Sequence, residues 1–131
     1  MSGTYRDLKA WQKAMTLVKD VYRCTATLPR EELFGLTSQM RRAAVSVASN
    51  IAEGKGRASD KELRQFLNQG RGSLFELETQ VEIAYSLSYL SSADASALNA
   101  QSAEIGKMIN GLIKATAPVS PLKLESSKPK A

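Results

Sequence analysis

Apolar residues recur three and four positions apart along most of the chain; Leu8, Trp11, Met15, Val18 and Tyr22, following Tyr5, make the first such series. That spacing puts side chains on one face of an α-helix, whereas the strict alternation of a half-buried strand is nowhere sustained. Thr4 with Asp7 three residues later predicts the start of this helix. Leu28 and Pro29 end it, because a residue before proline is pushed out of the helical region. A second helix is predicted after Pro29, running through Leu33, Leu36, Met40, Ala44, Val47 and Ile51, with Gly54 and Gly56 as its stop. Ser59 and Glu62 form a capping box for a third helix bearing Leu63, Phe66, Leu67, Leu74, Leu77, Val81 and Ala84. Extended to Leu90, it would span about 30 residues and about 45 Å. Ser91 to Asp94 reads as a turn and cap before a fourth helix with Leu98, Ile105, Met108, Ile109, Leu112 and Ile113, ending near Thr116. The fold class expected is all-α: an antiparallel up-down four-helix bundle over residues 1–116. Residues 117–131, with Pro118, Pro121 and Pro129 among Ser and Lys, read as a flexible C-terminal tail.

Within the second helix, RRAAVSVASNIAEGKGR departs from the usual bundle pattern: from Ala43 to Ala52 it carries no charge. Met40, Ala44, Val47 and Ile51 form the core stripe; Arg41, Val45, Ala48 and Ala52 lie to one side, and Ala43, Asn50 and Gly54 to the other. Arg42, Ser46, Ser49 and Glu53 point away from the core on this reading. Either the helix is the most buried one of a monomer, or its small-sided flank meets a neighbouring subunit. The second alternative is preferred, with Val45, Ala48, Ser49 and Ala52 at the contact. Gly70 and Gly72 support it, since each costs a helix about 1 kcal/mol relative to Ala and a close partner helix is the usual offset.

Composition narrows the chemistry. The chain of 131 residues fits one domain and carries a net charge of +5. Residues 1–57 hold ten basic and five acidic groups (+5), residues 58–116 five and seven (−2), and residues 117–131 three and one (+2). Such asymmetry suits an anionic partner, or complementarity between copies of the chain. There is no His and one Cys, Cys24, so Cys-His nucleophiles and the common zinc and haem sites are unavailable and no intrachain disulfide forms. No catalytic residue, metal or cofactor is assigned. Paired carboxylates such as Glu76 and Glu78 lack the Glu-x-x-His partners of a di-metal bundle site. Nothing resembles a signal peptide or a bilayer span, so a cytoplasmic location without membrane contact is expected.

The strongest candidate site is a basic cluster at the turn between the second and third helices: Lys55, Arg57, Lys61 and Arg64, with Arg71 further along one stripe. The free N–H groups at the start of the third helix add positive character, and together these suit the phosphates of RNA or DNA. Arg41 and Arg42 extend the surface if assembly joins the two ends. The alternative is a solvated cluster paired with Asp60, Glu62, Glu78 and Glu82. Gly54-Lys55-Gly56 lacks P-loop spacing. Ser73, Glu76 and Gln80, with Asn50 and Glu53, read as a polar layer fixing register between helices. Tyr85 and Tyr89 are placed at the end of the bundle.

The run FGLTSQMRRAAVSVASNIAEGKGR, the following EL-x-x-F-L, GSLFELETQ and the opening L-x-x-W-x-x-A together resemble the four-helix-bundle proteins encoded in intervening sequences of bacterial 23S rRNA genes. The likeness covers roughly residues 5 to 116. It implies an up-down bundle assembled as a ring-like homo-oligomer, with a pentamer expected. The family is also similar in fold to accessory proteins of diversity-generating retroelements, which implies by analogy a nucleic acid and a reverse transcriptase as partners. The function expected is a non-enzymatic, oligomeric, nucleic-acid-binding accessory factor, and the competing class is a protein–protein adaptor.

Overall fold

A computed structural model describes residues 4–118; the predicted tail lies outside the described residues except for Ala117 and Pro118. Four helices, α1 (Lys9–Thr25), α2 (Leu36–Lys55), α3 (Asp60–Ser86) and α4 (Ser92–Thr116), form an antiparallel up-down bundle. Helices consecutive in sequence pack on one another, and α4 closes the ring against α1. The start of α1, the end of α2, the start of α3 and the end of α4 therefore share one end of the molecule.

The core is the convergence of the four apolar stripes. Leu17, Met40, Val47, Ile51, Leu67, Leu74, Leu77, Leu98, Ile105 and Ile109 are all less than 2% exposed, and each such burial contributes about 1.5–3 kcal/mol. Ala14, Ala43, Ala44 and Ala84 fill the spaces between them.

Helix starts encoded by local side chains fall where the sequence puts them. Ser59 Oγ accepts the Glu62 N–H at 3.1 Å, and Ser91 Oγ accepts the Asp94 N–H at 3.0 Å. Each such cap stabilises its helix by about 1 kcal/mol.

Several boundaries differ from the prediction. Tyr5–Asp7 is a separate 3-10 turn and Leu8 is extended (φ −75°, ψ 125°), so α1 begins at Lys9 rather than at Thr4. The break lets the Tyr5 ring fold back onto Trp11, edge to face at 5.1 Å. It is fixed by Gln12 Nε2 donating to the Arg6 carbonyl at 2.8 Å.

After Pro29 the chain makes only a 3-10 turn, Arg30–Glu32, and α2 begins at Leu36. Glu32 supplies the cap from outside the helix, its Oε1 accepting the Leu36 N–H at 3.2 Å. Gly54, predicted as the stop of α2, lies inside the helix, which ends at Lys55. Finally, α3 stops at Ser86, short of Leu90, in a Schellman turn: Tyr89 N–H donates to the Ala84 carbonyl at 2.8 Å and Ser88 N–H to the Tyr85 carbonyl at 2.9 Å. Ser88 takes the left-handed position (φ 63°) usually given to glycine.

Candidate functional site

The sequence-predicted basic residues separate into groups. Lys55, Arg57, Lys61 and Arg64 gather at the α2–α3 end, beside the first turn of α3, which also carries Asp60 and Glu62 and whose Glu62 N–H is taken by Ser59 Oγ. Lys9 at the start of α1 and Lys114 in the last turn of α4 join that end from remote parts of the sequence, a convergence visible only once the bundle is closed. Lys61 is exposed and Lys55 half-buried; neither has an ion-pair partner among the described residues.

The arginines are more committed. Arg57 Nη2 sits 3.4 Å from Glu53 Oε2, with its guanidinium 4.7 Å above the Phe66 ring. Arg64 donates from Nη1 to the Thr116 carbonyl, closing the C-terminus of α4. Arg71 bridges α3 and α4, donating to Asn110 Oδ1 at 2.8 Å and Asn68 Oδ1 at 2.7 Å.

Arg41 lies 14 residues up α2 from Lys55, about 21 Å along the axis. Its guanidinium stacks 4.5 Å over Tyr22, and its Nε donates to Thr25 Oγ1 at 2.9 Å, tying α2 to the end of α1. Arg42 beside it is exposed. A single chain thus brings Lys55, Arg57, Lys61 and Arg64 together and leaves Arg41 and Arg42 apart from them. Of the acidic partners expected for the cluster, Glu78 instead accepts the Ser102 hydroxyl at 2.6 Å across the α3–α4 seam.

The small-sided flank of α2 also divides. Ala48 is 5% exposed and packs within the chain, whereas Val45 is 40% exposed and Ser49 is exposed with it; Ala52 is half-buried. Ser46 does not point to solvent: its hydroxyl meets Ser73 Oγ at 2.8 Å and accepts from Asn50 Nδ2 at 3.0 Å, a polar layer between α2 and α3. Of the other residues assigned to that layer, Glu76 and Glu53 are exposed; Gln80 is 7% exposed and its buried Oε1 has no partner among the described residues.

Within the chain, the close helix approach occurs at Gly54. A Cβ there would stand 2.9 Å from Phe66 Cβ and 3.3 Å from the Leu63 carbonyl, whereas at Gly70 it would lie at an ordinary 3.5 Å from Asn50 Cβ. At Gly72 it would meet no described residue within 4 Å.

A furrow on the outer side of α1 and α2 was not read from the sequence. Its upper part, about 650 Å³, is lined by Tyr22, Leu33, Phe34, Ser38, Arg41, Arg42 and Val45; its lower part, about 250 Å³, lies between Trp11, Met15 and Val18 on α1 and Val45, Ala48 and Ala52 on α2. Leu33, expected in the core stripe of the second helix, is 47% exposed, and Phe34 is 93% exposed. Both stand on the turn before α2, and the signal available was the Phe34-Gly35 pair, which interrupts the helical pattern. At that end Tyr85 is 45% exposed, while the half-buried Tyr89 hydroxyl donates to Glu32 Oε2 at 3.4 Å. Desolvation, then the Glu32 carboxylate, hold the Tyr89 phenol above its ordinary pKa.

These features define an antiparallel four-helix bundle with a basic end and an open apolar furrow. Residues 6–111 match the family model of the 23S rRNA-intervening sequence protein, and the chain belongs to that family. Its fold is similar to the crystal structure of a protein with unknown function from the S23 ribosomal protein family of Bacteroides thetaiotaomicron VPI-5482. The two share 23% identity and a TM-score of 0.75 over 80% of this chain and 95% of the other. No curated protein matches the chain. Among the described residues, no helix is long and apolar enough to cross a membrane.

Proposed function

We propose that the chain is a non-catalytic, self-associating bundle that holds the phosphate backbone of RNA or DNA at its basic end. The observation that carries the reading is the meeting of Lys55 and Lys61, both without an ion-pair partner among the described residues, with the N-terminus of α3 and with Lys9 and Lys114. Lysines in that setting act as point charges on phosphate, and the helix start supplies further donors. Arg57 and Arg64 contribute charge from fixed positions while keeping their intramolecular contacts.

The test is binding of a labelled RNA hairpin and a labelled DNA duplex, read by fluorescence anisotropy across a salt series. Binding at low salt is expected to weaken steeply as salt rises. For the duplex, the slope of log affinity against log salt should fall by about 0.9 for each lysine–phosphate pair that the Lys55→Glu, Lys61→Glu double variant removes. No binding at low salt, or affinity unchanged in that variant, overturns the reading.

A further inference from the structure

We propose that the nucleic acid held at the basic end is single-stranded, and that its backbone runs on up the outer seam between α3 and α4 to a clasp formed by Arg71, Asn68 and Asn110. This rests on the phosphate-holding reading and adds the path and the kind of strand.

Lys61, Arg64, Asn68, Arg71 and Phe75 fall on one stripe of α3, and Lys107, Asn110 and Lys114 on one stripe of α4. Two contacts join the stripes: Arg64 donates to the Thr116 carbonyl, and Arg71 Nη1 to Asn110 Oδ1 at 2.8 Å. The seam therefore lines up Lys61, Arg64, Arg71, Lys107 and Lys114, none with an ion-pair partner among the described residues. Glu104, one turn before Lys107, is instead turned to Lys13 on α1 at 3.0 Å. Asp60 stands at the foot of the α3 stripe, and above Phe75 the stripe turns acidic with Glu78 and Glu82. The cations thus occupy only the half of the seam that adjoins the basic end, about 21 Å from Lys61 to Phe75.

Within that file Arg71 is pre-set. A guanidinium only donates, so Asn68 and Asn110, at 2.7 and 2.8 Å, must both turn Oδ1 toward it. Their NH2 groups then face away from the guanidinium, without an acceptor among the described residues. Arg71 keeps its remaining N–H groups, so charge and amide donors stand together in a fixed array, and little ordering is left for a bound phosphate to impose.

Phe75 decides the kind of strand. Its ring is 59% exposed and borders, with Arg71, Lys107 and Glu78, a hollow of about 220 Å³. The Glu78 carboxylate there is taken up by the Ser102 hydroxyl at 2.6 Å. Beside a file of phosphate-holding cations, an open aromatic face takes a base by stacking. A duplex keeps its bases inside and winds its phosphates away from a straight seam. A single strand offers both an open base and a backbone that follows the file.

The test is fluorescence anisotropy with labelled single-stranded RNA and single-stranded DNA of about 12 nucleotides, and with the duplex of the same sequence. The tighter of the two single strands should exceed the duplex in affinity at least about tenfold, and names the sugar that the seam takes. Lys107→Gln should weaken single-strand binding at least about threefold and lower the slope of log affinity against log salt by about 0.7. Arg71→Gln should do at least as much. Phe75→Ala should cost at least about fivefold with the salt slope unchanged, because stacking on a neutral ring releases no counterion. Lys107 and Phe75 are exposed, so their variants carry the test even where Arg71→Gln loosens the α3–α4 seam.

Full single-strand affinity in Lys107→Gln, with the Lys55→Glu, Lys61→Glu variant weakened, means that the phosphates stay at the end of the bundle and overturns the seam alone. Full affinity in Phe75→Ala, or a duplex bound as tightly as either single strand, overturns the assignment of the strand. A parent chain that binds none of the three at low salt removes the seam and the phosphate-holding reading together.

Discussion

The two sides of α2 solve the same packing problem in opposite ways. Toward α3 the seam is closed: Gly54 lies under Phe66 and Leu63, and Ser46, Asn50 and Ser73 share hydrogen bonds across it. On the outer side facing α1 the furrow stays open, with Val45, Leu33 and Phe34 in water. Small residues are common to both sides, so small side chains alone do not mark an assembly surface. What distinguishes the open side is that large apolar groups border it and no other described residue covers them.

The sharpest break of this comparison is Gly54→Ala. The new methyl would press on Phe66 Cβ and the Leu63 backbone, neither of which is a flexible chain end. Overpacking of this kind costs about 1–3 kcal/mol, against about 1 kcal/mol gained from helix propensity. A net loss of up to about 2 kcal/mol is expected in urea denaturation, with a gain of about 1 kcal/mol, the helix propensity alone, as the outcome that refutes a close seam.

Next comes Ser46→Ala. It removes the hydroxyl shared by Ser73 and Asn50 but leaves Ser73 bonded to the Gln69 carbonyl and Asn50 to the Ser46 carbonyl. With no group orphaned, the expected loss is about 1 kcal/mol. Ser49→Ala, one turn away on the open side, should instead be neutral or gain a few tenths through helix propensity. Equal effects from the two serines would mean that the seam and the furrow do not differ.

How far these distinctions were legible in the sequence depends on the range of the contacts behind them. The starts of α3 and α4 were readable because Ser59 and Ser91 cap the N–H three residues on, an interaction written entirely in local sequence. The starts of α1 and α2 were not, because Leu8 breaks to bring Tyr5 to Trp11, and Leu36 is capped by a carboxylate in the preceding turn. The candidate site fares similarly. Arg64 and Arg71 look available in sequence, yet their acceptors, Thr116 and Asn110, are 52 and 39 residues away. Lys55 and Lys61 flank the α2–α3 turn, as their places in the sequence imply, while Lys9 and Lys114 could join them only through bundle closure.

A smaller and opposite effect is expected at Gly72. With nothing within 4 Å of an added Cβ, Gly72→Ala should stabilise the fold by just under about 1 kcal/mol, the propensity difference alone. Thermal unfolding of dilute protein reads this free of any assembly. A loss of stability there would mean that α3 needs the glycine for its own path, and the contrast with Gly54 would vanish.

The smallest expected change in fold stability belongs to the most exposed large apolar side chain. Phe34 has 93% of its surface in water, so Phe34→Ser removes almost no burial from the chain itself. Surface substitutions of this kind shift stability by less than about 0.5 kcal/mol. Gly35, which follows it, sets the chain path into α2, and the Glu32 cap on Leu36 remains in place. Denaturation curves of the variant and the parent should therefore overlay at low concentration. If the ring is in use by a second copy, the same substitution should weaken association at high concentration, because an aromatic anchor is removed from the interface. A fold loss of about 1 kcal/mol or more would place Phe34 among the residues that hold the bundle together, and the furrow would then belong to the interior of this chain rather than to its surface.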